Sequence, residues 1–200
     1  MSSVEYNTMN TSEHPPQTVC RRALASDAPA IAVLAKQLQL QAGDDIDHAV
    51  SHGFLVFAKP EEAYQNRFTA SRYCIVAEQE GEITGFLVAH DRVELDALGS
   101  DLGYMQSLKE YLFGLPYSHW VYIDQIAVSA NSQHQGIGQQ MHDYLCNQSP
   151  KSVIIAGVTH MPVPNERSLG FFTRNGHILK KELQEGEWLC GMYVRETESK

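Results

Sequence analysis

VYIDQIAVSANSQHQGIGQQMHDYL, residues 121–145, is the stretch that decides how the chain reads. Val121, Ile123, Ile126 and Val128 are β-branched and favour an extended backbone. Ile137, Met141 and Leu145 then recur every four residues, the spacing of one helix face. A short polar turn carrying Gly136 and Gly138 joins the two patterns. The first four N–H groups of a helix have no intrahelical acceptor and lie at the positive end of its dipole. Glycine lets an anion come close to those amides without meeting a Cβ. A strand that hands over to a helix in this way is suited to cradling phosphate. The loop is not a nucleoside-triphosphate loop, because no G-x-x-x-x-G-K-[ST] occurs. It is not a dinucleotide fingerprint either, since the third glycine would fall at Met141.

The 200 residues allow one domain with a substantial core. Net charge is −9, from 15 basic and 24 acidic residues, which lacks the basic footprint that nucleic acid demands. It leans toward a cationic small molecule or peptide as partner. Cys20, Cys74, Cys146 and Cys190 lie far apart with no C-x-x-C pair, so buried thiols are expected. The first 18 residues hold no apolar core of a secretory signal, and no run approaches the length of a membrane span. A cytoplasmic protein with no membrane partner is expected.

Residues 1–17 read as a flexible tail and 18–196 as the domain. A first strand is expected over 19–24, then a helix over 28–41 capped by Ser26 and Asp27 and stopped by Gly43. A short helix over 46–52 and another opening at Pro60 follow. Residues 71–78 and 83–90 read as antiparallel strands turning at Glu80-Gly81. The long connection 91–118 carries a helix marked by Tyr104, Leu108 and Leu112. After the 121–145 motif, the apolar run 152–158 predicts a strand buried on both faces. A helix is expected over 165–175, closed by Gly176. A hairpin of 177–183 and 188–195 is expected to turn at Gln184-Glu185-Gly186. The order is that of a mixed α/β domain.

Gln133-His134-Gln135-Gly136-Ile137-Gly138 resembles the Q/R-x-x-G-x-G/A loop of the GNAT (Gcn5-related N-acetyltransferase) superfamily. Its distance of five residues from Val128 is similar too. NERSLGFFTRNGH, residues 165–177, resembles the second signature of that superfamily, N-x-x-[AS]-x-x-F-[YF]-x-x-x-G-[FH]. Within it, YIDQIAV and GVTHMPVPNERS resemble a poorly characterised bacterial group of predicted acetyltransferases. The resemblance implies a single-domain GNAT-like α/β fold. Its mixed central sheet would have about seven strands flanked by helices and would splay between the fourth and fifth. It implies acetyl-CoA as cofactor and transfer to a primary amine of a small molecule or peptide. A non-catalytic acyl-CoA sensor and a protein N-terminal or lysine acetyltransferase are the alternatives, and a homodimer is compatible with the superfamily.

Under that resemblance the diphosphate would sit on main-chain N–H groups of Gln133, His134, Gln135, Gly136, Ile137, Gly138 and Gln139. Ile126, Ala127 and Val128 would pair with the pantetheine arm as an added strand does. Asn165, Ser168 and Phe171 would border that arm, with a plain helix N-cap as the alternative reading of Asn165. An ammonium of pKa near 10.4 must lose a proton before it can attack, at a cost of about 4–5 kcal/mol at pH 7. Asp124, mid-strand among apolar residues, is the candidate base, or else a structural carboxylate paired with an arginine. Gln125 is expected on the opposite face as scaffold. The superfamily's tyrosine acid falls at Phe172, which has no proton to give, with Tyr122, Tyr144 and Tyr193 as possible substitutes. His48 and His52 stand at i, i+4 beside Asp44, Asp45 and Asp47, but no H-E-x-x-H glutamate accompanies them, and no metal is expected.

Overall fold

The computed structural model describes residues 17–98, 106–150 and 152–196. The expected tail therefore lies outside the described residues apart from Gln17, and so does Tyr104. Seven strands form one sheet in the order β1-β2-β3-β4-β5-β7-β6. They are β1 (Thr18–Arg22), β2 (Ile75–Gln79), β3 (Glu82–Asp91), β4 (Trp120–Val128), β5 (Val153–Met161), β6 (Ile178–Glu185) and β7 (Trp188–Arg195). Every pairing is antiparallel except β4 with β5. The helices are α1 (Ala28–Leu38), α2 (Ile46–His52), α3 (Glu61–Ala70), α4 (Arg92–Ala97), α5 (Gln106–Gly114), α6 (Ile137–Gln148) and α7 (Glu166–Arg174).

Burial follows the sequence periods. On one face Ile137, Met141 and Leu145 of α6 pack with Ile75, Leu87, Ile123 and Ile154. On the other, Ile31 and Leu34 of α1 and Tyr64 and Phe68 of α3 cover Val76, Phe86 and Val88. Farther along that second face, Leu108 and Leu112 of α5 meet Trp120, Ile155 and Met192. Of the four thiols, Cys74 is buried and the others only half-buried, and none is in a disulfide.

Some boundaries differ from expectation. Helix α1 ends at Leu38, five residues before Gly43, because Leu38 and Leu40 exchange main-chain hydrogen bonds with Leu55. The last hairpin turns at Gly186-Glu187, one residue later than expected, since Glu185 still pairs with Trp188. Helix α4 was not anticipated. It starts on a capping box in which the Asp91 carboxylate accepts from Glu94 N–H and the Glu94 carboxylate accepts from Asp91 N–H.

Two irregularities of β4 create the site. Its parallel pairing with β5 runs only from Trp120↔Val153 to Ile123↔Ala156. Beyond that point β4 keeps β3 on one side, and its other edge faces a gap. Against β3 the register slips, with Ile123 opposite Ala89 and Gln125 opposite Val88. Asp124 is thus the extra residue of a β-bulge, which re-aims side chains locally. Strict alternation would send Asp124 and Gln125 to opposite faces. The bulge instead turns both toward α3, which corrects the expected placement of Gln125.

Candidate active site

A cavity of about 280 Å³ opens where β4 hands over to α6. Ile126, Ala127 and Val128 line it, with Gln133, His134, Gly136, Ile137, Gly138 and Gln139 from the loop and Ser168 and Phe171 from α7. Gly136, at φ +77, is the N-cap of α6 and His134 also has positive φ, at 64. Among the described residues no side chain caps α6. Its first intrahelical bond is Gln140 N–H to the Gly136 carbonyl, so the preceding amides have no helical acceptor. A Cβ on Gly136 would meet nothing within 4 Å, so the glycine serves the backbone angle rather than space. Gly136→Ala should therefore cost about 1–2 kcal/mol of stability from the left-handed backbone alone, checked by the denaturation midpoint.

Arg167 and Arg174 line the same cavity, and among the described residues neither makes an ion pair. A Cβ on Gly170 would lie 3.0 Å from Arg174 Nη1, so the bare helix surface at Gly170 lets that guanidinium lie against α7. Uncapped amides plus two cations without acidic partners, in a chain of net charge −9, fit a phosphate-bearing cofactor. Coenzyme A is such a molecule. The arginines were missed at the sequence level, although their i, i+7 spacing was the available signal.

Two expected cofactor residues have other engagements. The Gln135 side chain turns away, its Oε1 accepting from Gln79 Nε2 at 2.9 Å. Asn165 lines neither cavity. It caps α7 by accepting from Ser168 N–H at 3.0 Å, and its Nδ2 donates to the Phe54 carbonyl at 2.9 Å. It therefore braces α7 against residues 53–57. Ile137 buries its side chain in the core and can offer only main chain.

A second cavity, of about 380 Å³, lies in the gap between β4 and β5. Phe54, Leu55, Ile126 and Ser168 line both cavities and mark where they meet. Asp124, two residues from Ile126, lines the second one. Its side chain is 2% exposed, with Lys59 Nζ at 3.5 Å and Arg67 Nε at 3.7 Å. Arg67 is fully buried on α3, so the paired and the functional readings of Asp124 coexist. Burial raises the Asp124 carboxyl above the usual range, against the pull of Lys59 and Arg67. Gln125 accepts from the Tyr64 hydroxyl at 2.9 Å and donates to the Phe57 carbonyl at 2.6 Å. It anchors the 54–59 segment that walls the cavity. Of the possible proton donors, Tyr122 lines this cavity, the Tyr193 hydroxyl is bonded to His160 Nε2 at 3.0 Å, and Tyr144 lines neither cavity. Phe172 is a buried wall residue. His52 borders the cofactor cavity, stacked on His48 at 3.9 Å.

The sequence model of the acetyltransferase (GNAT) family matches residues 45–177, more than half of the chain, and the protein belongs to this family. It is an acetyl-CoA-dependent N-acetyltransferase of that class. In fold it is similar to Arabidopsis thaliana Naa50 in complex with the bisubstrate analogue CoA-Ac-MVNAL, at 13% identity over 90% of this chain and 98% of that one, TM-score 0.60. Ard1 from Thermoplasma volcanium aligns at 12% identity over 91% and 99%, TM-score 0.62. Diaminobutyrate acetyltransferase EctA from Paenibacillus lautus, in complex with L-2,4-diaminobutyric acid and coenzyme A, aligns at 17% over 93% and 99%, TM-score 0.58. No curated protein matches the chain.

Proposed function

We propose that this chain acetylates a primary amine of a small molecule by direct attack, with Asp124 accepting the proton. The observation that carries the reading is the junction of the two cavities at Phe54, Leu55, Ile126 and Ser168, with Asp124 beside it. Acetyl-CoA supplies an acetyl group activated as a thioester, whose C–S bond is exchanged for a C–N bond to the amine. The amides from Gln133 to Gln139 and the Arg167 and Arg174 guanidiniums would hold the phosphates. The unpaired edge of β4 at 126–128 would orient the amide-bearing arm. Main-chain N–H groups there can also stabilise negative charge developing on the acyl oxygen.

Deprotonating the amine is the harder task. Lys59 and Arg67 place two cations around Asp124, and positive surroundings disfavour an ammonium, easing its conversion to the reactive base. The raised carboxyl of Asp124 is in turn a better proton acceptor than an ordinary aspartate. A small acceptor fits because Leu108 of the long connection closes one wall and about 380 Å³ is at the lower end of ligand pockets. Four thiols outside any disulfide suit the cytoplasm.

Mixing the protein with acetyl-CoA and a panel of amines while following thiol release tests this reading. Release that depends on particular amines is the expected result; saturable coenzyme binding with no release from any amine would make the chain a sensor instead. In the same assay format, Arg174→Gln should weaken coenzyme A binding about tenfold, the scale of one charged hydrogen bond. Calorimetric titration checks it, and the loss should shrink at high salt.

A further inference from the structure

Phe57 and Trp188 stand at the mouth of the second cavity, with ring centroids 5.8 Å apart and planes tilted by 47°. Phe57 is 55% exposed. Val19, Val33, Val93 and Ile178 are exposed as well, and single apolar residues on a surface are ordinary. Among the exposed large apolar residues described, however, only Phe57 lines either cavity. Its place is also held from the core. The Phe57 carbonyl accepts from Gln125 Nε2 at 2.6 Å, and Gln125 Oε1 accepts at 2.9 Å from the hydroxyl of the fully buried Tyr64. The ring therefore stands on an ordered main chain, and covering it costs little further ordering.

From the mouth inward, Leu108, Leu189, Phe54 and Ile123 continue an apolar wall. A polar chain lying along it would lose water without gaining partners, whereas an apolar body gains from the surface it buries. Two tilted rings present a face and an edge, the surfaces against which a third ring packs offset or T-shaped. The carboxylate at this end is Glu185, exposed beside Trp188 and accepting from Ser107 Oγ at 3.1 Å. Solvent screening leaves it little hold on a second ammonium. The occupant follows from Asp124, which lines the same cavity. A molecule that brings its amine to that carboxylate has the rest of its body against Phe57 and Trp188.

We propose that the acceptor amine is carried on an apolar body, best an aromatic ring, that packs on Phe57 and Trp188; an arylalkylamine is the simplest form. This rests on the acetyl-transfer reading above and names the substrate class of that site. Phe57 is its specificity-determining residue.

The test titrates phenethylamine, isoamylamine, n-propylamine and putrescine into protein saturated with coenzyme A, and follows thiol release with acetyl-CoA for each. The first three carry one ammonium each, so differences among them report apolar contact. Phenethylamine should bind at least about tenfold tighter than n-propylamine, the value of burying part of a ring, with isoamylamine between them and putrescine no better than n-propylamine. Phe57→Ala should cut the preference for phenethylamine to about threefold or less, while Phe57→Trp should keep it. Phe57 lies outside the packed core, so both variants should fold, and their coenzyme A affinity checks that. Equal binding of phenethylamine and n-propylamine, tightest binding of isoamylamine or putrescine, a preference unmoved by Phe57→Ala, or no binding of any of the four overturns the proposal. Selective binding without thiol release instead counts against the transfer reading and leaves the recognition standing.

Discussion

Asp124→Asn is expected to lower kcat/KM for the acceptor by about 10²- to 10⁴-fold, the range assigned to a positioned proton acceptor, while coenzyme A still binds. Asparagine keeps the shape of aspartate at the bulge but cannot take up a proton. The cost to the fold is the more delicate part. Arg67 is fully buried and would lose the Asp124 carboxylate, and removing one member of a buried pair typically costs about 3–5 kcal/mol. The asparagine carbonyl can still accept from a guanidinium N–H, so the penalty should be smaller than for alanine. Coenzyme A titration of the variant separates the two effects. Normal coenzyme affinity with lost turnover supports the assigned role. Turnover within threefold of the parent would make Asp124 purely structural.

The second large effect is acid instability. Burial pushes His90 down to about 3, His142 to about 4 and His177 to about 3. His142 and His177 face each other with their Nε2 atoms 3.0 Å apart, a contact that requires one of them to donate and the other to accept. In the unfolded chain each histidine titrates near 6.5. Above that value neither state holds the proton, and the three contribute nothing to pH dependence. Between about 6.5 and 4 the unfolded chain binds protons that the folded chain does not, so stability falls as pH falls. Each imidazole adds up to about 1.4 kcal/mol per pH unit, or roughly 4 kcal/mol per unit for three. By pH 5 that removes about 6 kcal/mol, a large part of the usual total of about 5–15 kcal/mol. Denaturant midpoints measured from pH 7.5 to 5 check this, and a flat profile would refute it. His90→Phe should remove about a third of the slope.

The central motif was legible because it combines two strong periods with glycines where the backbone needs them. Residues 121–128 and 137–145 therefore fell where β4 and α6 lie. The α4 capping box was present as D-x-x-E at Asp91 and Glu94 but was passed over in a connection where only the later helix was expected. What stayed hidden depends on partners distant in the chain. The early end of α1 comes from pairing with Leu55, and no local stop signal at Leu38 announces it. The common face of Asp124 and Gln125 comes from a slip in register, which belongs to β3 and β4 jointly. The N-cap reading of Asn165 was available from the sequence, but its second bond, to the Phe54 carbonyl, was not. Arg67 left one trace: a cation between Tyr64 and Phe68 on the apolar stripe of α3 implies a buried countercharge.

The extra residue in β4 also makes this strand intolerant of length changes. Deleting any single position between Ile123 and Gln125 would restore regular pleating. Loss of Ile123 would swing the carboxylate toward α6, loss of Asp124 would remove it, and loss of Gln125 would release the 54–59 segment that its side chain anchors. Homologues and engineered variants should accordingly accept substitutions here far more readily than insertions or deletions, because the phase of the strand is what keeps the proton acceptor and the coenzyme edge in the same gap.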